Sequence, residues 1–160
     1  MTIFVRFWLC IALAVVALWV AILPAGAPDK AEDVTVALTG TVTHVRDGDT
    51  IEVDDVPIRL EGIAAPELNE PGGQEATTAM KTLVEGKKVL CELTGERSYD
   101  RMIGVCYYPA LKHRLNDLGY FMVSSGHARD CPRFSKGRYA QYELATVLRT
   151  YMLPRYCKPQ

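Results

Sequence analysis

Two aspartates flank a glycine in RDGDT, residues 46–50. Asp47 and Asp49, both in one tight turn, offer the hard oxygen ligands that calcium or magnesium takes, although Asp-Gly is also a common hairpin turn. Further on, PIRLEGIAAPE, residues 57–67, sets Arg59 and Glu67 at either end of a mostly apolar run. Arginine presents a planar fork of donors that matches a phosphate and keeps its charge at any working pH. A glutamate beside such a site can take a proton from an attacking water. The stretch RSYDRMIGV, residues 97–105, adds Arg101 and Tyr99. A second arginine suits phosphoryl chemistry, because charge on a five-coordinate phosphorus spreads over several oxygens. Tyr99 suits stacking on a base. Each residue alone has an ordinary reading too: a surface arginine, a loop carboxylate, a hairpin aromatic packed on its neighbours.

Those residues need elements to hold them. β-branched residues broken by Asp47-Gly48 and Asp54-Asp55 predict three consecutive antiparallel strands, at about 34–46, 50–53 and 56–63. In residues 69–88, Ala76, Ala79, Met80, Leu83 and Val84 recur at helical spacing, and Gly86 stops the helix. Two more strands, KKVLCEL and RMIGVCYY, are joined by the polar loop TGERSYD. NDLGYFMVSSG reads as a second helix with Asn116 as N-cap and Gly126 as terminator. A third covers RYAQYELATVLRTYML, with Ala140, Leu144, Val147, Leu148 and Tyr151 on one face and Pro154 ending it. Five strands with one helix after the third and two at the end describe a five-stranded Greek-key β-barrel with three α-helices, an OB-fold of the α+β class.

The chain of 160 residues is enough for one such domain, and 49% hydrophobic with 23% charged residues is an ordinary globular composition that excludes disorder. The N-terminus stands apart: Phe7–Leu23 is continuously apolar behind a head carrying only Arg6. Residues 1–27 are a signal sequence or a membrane anchor, 28–34 a linker, and 35–160 the folded domain. Ala25-Gly26-Ala27 has the small residues of a cleavage site, while Pro28 directly after it and the two tryptophans favour a retained anchor. Either way the body is exported, membrane-anchored towards the periplasm or exterior, or released there. In an oxidising compartment the four body cysteines read as two disulfides: Cys91 with Cys106 across a hairpin, unless these two are only buried hydrophobes, and Cys131 with Cys157 pinning the C-terminal tail. Without a CxxC pair, zinc is not indicated. Acidic residues outnumber basic ones 16 to 7 between Pro28 and Asp100, whereas basic residues lead 10 to 3 afterwards. That places a cation site beside an anion-binding surface, or scatters solvated charge.

The order of these features carries more than any one of them. Asp-Gly-Asp-Thr, then IRLEGIAAPE, then an arginine opening the fifth strand, resembles the staphylococcal nuclease (thermonuclease) family across about 35–153. That resemblance implies hydrolysis of DNA and RNA by two arginines and one calcium ion around a phosphate. It implies Arg59 and Arg101 as the phosphate clamp, Glu67 as general base, Asp49 as direct metal ligand and Asp47 in the outer shell. Tyr99 takes the place of the stacking tyrosine, and Phe134 that of a second aromatic. The family's second metal-binding aspartate is replaced here by Ala64, while the Ala65 position offers only a backbone carbonyl.

Losing that carboxylate leaves two outcomes: a weaker calcium site with nuclease activity retained, or a domain that binds single-stranded nucleic acid, or a protein partner, without cutting. The complete set of two arginines, glutamate and DGD turn favours the first. Glu61, three residues before Ala64, is expected to form an ion pair with Arg59. Arg129, Arg133, Lys136 and Arg138, clustered near Phe134, are expected to border the nucleic-acid groove. His44, His113 and His127 are far apart and read as structural. Nothing indicates an obligate partner, so a monomer is expected.

Overall fold

The computed structural model describes residues 36–108 and 116–159; Phe7–Leu23, the expected linker at 28–34 and His113 lie outside them. The chain runs through β1 (Val36–Val45), β2 (Thr50–Val53), β3 (Val56–Leu60) and a two-residue β4 (Ile63–Ala64), then helix α1 (Gly73–Val84). β5 (Lys88–Ser98) and β6 (Arg101–Tyr107) follow. The strands close into a barrel in the order β1-β2-β3-β6-β5, so β5 returns to β1. The β3–β6 pair is parallel, with Arg59 opposite Ile103. This is the expected five-stranded OB-type barrel.

Alternation along the strands decides which side chains enter. Val42, Val45, Ile51, Val53, Ile58, Leu60, Val89, Cys91, Leu93 and Cys106 fill the interior, and Ala76, Met80 and Val84 of α1 pack against them. The first prediction that fails is the length of the third strand. It stops at Leu60 because Gly62 takes a left-handed φ of 79°, a conformation that costs glycine little. Ile63 and Ala64 then leave the barrel and pair with Asp130 and Arg129 of β7 (Arg129–Asp130). The expected polar loop 94–100 is also largely strand: β5 reaches Ser98, and only Tyr99 and Asp100 turn the hairpin.

After β6 comes α2 (Leu118–Ser124), capped by Asp117 and not by Asn116. The Asp117 carboxylate accepts from the Gly119 and Tyr120 amides and also from the Tyr139 hydroxyl. Past β7, α3 (Pro132–Ser135) is a single turn. The long final helix expected over 138–153 is absent: a 3-10 turn at Ala140–Tyr142 is followed by α4 (Ala145–Thr150). Tyr139 is buried, with its amide on Asp130, and Glu143 is extended so that its carboxylate meets Arg129 and the Asp130 amide. Tertiary bonds thus override a helical periodicity. A last 3-10 turn spans Arg155–Cys157. The two disulfides are Cys91–Cys106, between register partners on β5 and β6, and Cys131–Cys157.

Candidate phosphate-binding site

The turn between β1 and β2 lies against β4 and α1. A side chain on Gly48 would come within 2.7 Å of Ala65 Cβ and 2.8 Å of Ala76 Cβ, so only glycine lets the turn seat so deeply. Seated there, Asp47 accepts the Asp49 amide at 2.9 Å, and Asp49 itself is buried. The Asp49 carboxylate accepts from the Ala65 amide at 2.9 Å and pairs with the Arg59 guanidinium at 2.9 Å. Arg59 reaches it across the β2–β3 ladder, where Thr50 is its register partner. The same guanidinium donates to the carbonyls of Leu60 (3.0 Å) and Ile63 (2.9 Å).

Thr50 extends the network. Its hydroxyl donates to Asp49 at 3.3 Å and accepts from Arg101 Nη1 at 3.1 Å. Arg101 is fixed further by Ser98, whose hydroxyl it meets at 3.1 Å. Arg59, Asp49, Thr50 and Arg101 therefore form one hydrogen-bonded chain across β3, β2 and β6. Burial pushes the Asp49 carboxyl up to about 7; the Arg59 charge and the Ala65 amide pull it back, and Asp47 pushes it further up. Such a shift beside fixed charges is common at functional sites.

The other expected residues separate into two groups. Glu67 is exposed at the edge of this corner, and Tyr99 stands out at the hairpin tip beside Arg101, 93% exposed and with a left-handed φ of 59°. Phe134, half exposed, lines a cleft of about 120 Å³ with Arg59, Ser98 and Tyr156. Arg133 lies over the Phe134 ring at 5.4 Å. Arg129 sits on the β4–β7 ladder and is engaged by Glu143 at 3.0 Å and by the Tyr151 carbonyl at 3.2 Å, so it faces the tail and not a groove. Arg138 reaches Glu61 at 3.4 Å. The expected Glu61–Arg59 pair does not form, because Arg59 turns inward to Asp49. Arg133 and Lys136 stay together beside Phe134, the lysine donating to the Arg133 carbonyl at 2.8 Å, while Arg129 and Arg138 are drawn to Glu143 and Glu61.

Sequence reasoning pinned the tail with Cys131–Cys157 but missed that the tail reaches the site. The Tyr151 hydroxyl donates to the Ala65 carbonyl at 2.9 Å. Burial raises it well above the usual tyrosine range, and the nearby Tyr156, Glu70, Asp49 and Glu67 push the same way. Tyr156 is also raised by burial, with Arg59 holding it down and Asp49 pushing it up, so it shares this corner. The signal in the sequence was two tyrosines, Tyr151 and Tyr156, close ahead of Cys157, but helical spacing puts Tyr151 on a helix's apolar face instead.

A calcium ion needs several oxygens free to converge. Among the described residues no three His, Cys, Asp or Glu side chains do so. Ala64 brings no side-chain oxygen, the Ala65 carbonyl already accepts from Tyr151, and the Asp49 carboxylate already accepts from Arg59, Thr50 and the Ala65 amide. These donors do not fit the calcium site that the family implies.

Comparison with known proteins gives a consistent result. The profile described as staphylococcal nuclease homologue matches residues 57–147. A protein of Escherichia coli O157:H7 described as an uncharacterized endonuclease is 43% identical over 93 residues, which cover 56% of this chain and 58% of that protein. A second, from Escherichia coli and described in the same words, is 42% identical over 93 residues, with the same coverage. The succinoglycan biosynthesis protein ExoI of Rhizobium meliloti (strain 1021) is 32% identical over 107 residues, covering 60% of this chain and 54% of that protein. The chain therefore spans a little over half the length of the relatives it matches.

Proposed function

The chain belongs to the staphylococcal nuclease homologue family, and from that premise we propose that it is an exported phosphodiesterase acting on single-stranded DNA or RNA. The observation that carries this reading is the Arg59–Asp49–Thr50–Arg101 chain, which sets two guanidinium groups on neighbouring strands at one end of the barrel. Export is supported by the apolar Phe7–Leu23 segment and by two disulfides.

In this reading Arg101 and Arg59 hold the non-bridging oxygens of a phosphodiester. Arg101 is pre-positioned by Thr50 and Ser98, so it needs little reorganisation as charge develops on phosphorus, whereas Arg59, held on Asp49, exchanges one of its carbonyl partners, Leu60 or Ile63, for a phosphate oxygen. Glu67, exposed and at the edge of the corner, takes the proton from a water whose oxygen attacks phosphorus. The bond to the leaving ester oxygen breaks, and that oxygen takes a proton from solvent. Tyr99 and Phe134 give flanking bases aromatic surfaces. Calcium has no step here, because the donors do not fit it. Burial of Ala64 at the corner, where a carboxylate is missing, favours a second reading in which the domain binds without cutting.

Digestion of end-labelled single-stranded DNA and RNA by the full chain tests this, beside Glu67→Gln and Arg101→Ala. Glu67→Gln should slow cleavage about 10²–10⁴-fold while binding persists. Arg101→Ala should weaken both. Cleavage undiminished in Glu67→Gln would refute the assignment of the base, and binding with no cleavage by the parent would install the second reading.

A further inference from the structure

We propose that the disulfide-fastened C-terminal tail takes the place of a metal ion at the Ala64–Ala65 corner, with Tyr151 as the residue that positions it. The proposal deepens the phosphodiesterase reading and rests on it for the identity of the ligand, a nucleic-acid phosphate recognised without a divalent cation.

Three observations converge. Ala64 is fully buried in a small apolar cluster with Cys131, Cys157 and partly buried Leu153, separate from the barrel core. The disulfide therefore fills the space beside the Cβ from which a metal-binding carboxylate would have to reach out. Next, the backbone oxygen at the corner already has a donor, since the Tyr151 hydroxyl bonds the Ala65 carbonyl at 2.9 Å. Tyr151 is itself held from behind, because its carbonyl accepts from Arg129, which Glu143 fixes from the other side. Finally, positive charge at Asp49 is supplied from within by Arg59 at 2.9 Å. Two contacts a cation would make here, with the Asp49 carboxylate and with the Ala65 carbonyl, are made by Arg59 and Tyr151.

The arrangement has a direction. Tyr151 and Cys157 bracket Pro154 and the last 3-10 turn, so one covalent bond and one hydrogen bond clamp the tail to β4 and to the start of α3. β4 in turn carries Ala64 next to Ala65, whose amide bonds Asp49. Disturbing Tyr151 moves the Ala65 peptide, and through it Asp49 and Arg59. Tyr151 thus acts on the phosphate through others.

The test starts with heat unfolding of the full oxidised chain, in chelator and with calcium titrated into the millimolar range where weak extracellular sites fill. The midpoint should not move, since a ligand stabilises only the state that binds it. Ala64→Asp should lower the midpoint by roughly 10 °C, because it puts a carboxylate against the disulfide, and should gain no response to calcium. A calcium-dependent rise in the parent, or an Ala64→Asp chain that stays as stable as the parent and rises with calcium, would overturn the proposal. Tyr151→Phe separates positioning from mere stability. At a temperature where circular dichroism shows the variant folded, its dissociation constant for a labelled oligonucleotide in chelator should be about tenfold weaker, as for loss of one well-placed hydrogen bond. An unchanged constant would leave Tyr151 structural only and sink that part. If the parent binds no oligonucleotide, the phosphodiesterase reading falls, and the thermal arms, which use no nucleic acid, still decide the metal question.

Discussion

Asp49 concentrates the chemistry at the residue scale. It is a buried carboxylate whose charge is matched by one guanidinium and whose proton affinity is raised by burial to about 7. Because that value lies above its unfolded value of 3.8, the folded chain holds a proton that the unfolded chain has lost throughout the window between them. Stability from this group is therefore greatest at acid pH, falls as pH rises from about 4 to about 7, and is flat above that. The change is on the order of a few kcal/mol at about 1.4 kcal/mol per unit. Urea unfolding followed by circular dichroism across that range should show the slope in the parent and lose it in Asp49→Asn. An equal slope in the variant would mean another group carries it. The identities of Asp49, Arg59, Arg101 and Glu67 were legible in the sequence because their chemistry and order are unusual. Their partners were not. Nothing local says that Arg59 turns to Asp49 and leaves Glu61 to Arg138.

Elements were legible in proportion to how local their causes are. The strands of the barrel follow from β-branched alternation and Asp-rich turns, and α1 from apolar spacing ended at Gly86. The C-terminal third reads differently because its conformation is set by distant groups: Asp130 and Asp117 hold Tyr139, and Arg129 holds Glu143. The cap of α2 shows the same thing within one position. Asn116 and Asp117 are both good cap residues, but only the second points its carboxylate at the Gly119 and Tyr120 amides while taking Tyr139 from outside. Asp117→Ala should cost about 1–2 kcal/mol, and more if the Tyr139 hydroxyl stays buried without its partner. Asn116→Ala should cost almost nothing, since among the described residues its side-chain oxygen is buried without a hydrogen bond. Urea midpoints for the two variants check this, and equal losses would contradict the assignment of the cap.

For the domain taken whole, the two disulfides differ in what they hold. Cys91–Cys106 closes a sequence separation of 15 inside a hairpin whose strands already pair, and both sulfurs are in the barrel core. Cys131–Cys157 closes 26 and fastens a tail that also meets Ala65 and Arg129 through Tyr151, Ala64 through Leu153, and the cleft beside Arg59 through Tyr156. Loop-closure entropy grows slowly with length, so each bridge should contribute a similar amount, about 3 kcal/mol. Their functional consequences should diverge. Cys91→Ala with Cys106→Ala should lower the unfolding midpoint and leave oligonucleotide affinity unchanged wherever the chain is folded. Cys131→Ala with Cys157→Ala should lower the midpoint by a comparable amount and also weaken binding, because Tyr151 and Tyr156 are released from the corner that holds Arg59. Thermal melts and fluorescence anisotropy on the two double variants decide it. Equal affinity in both would show that the tail is only a fastening. On the proposed export and phosphate binding, the second bridge forms only where thiols oxidise, so the candidate site would be completed outside the reducing cytosol. The DGD turn and the two arginines are positioned by the barrel strands, but the corner beside them, which leads into Glu67, is fastened by Tyr151 and the Cys131–Cys157 bridge.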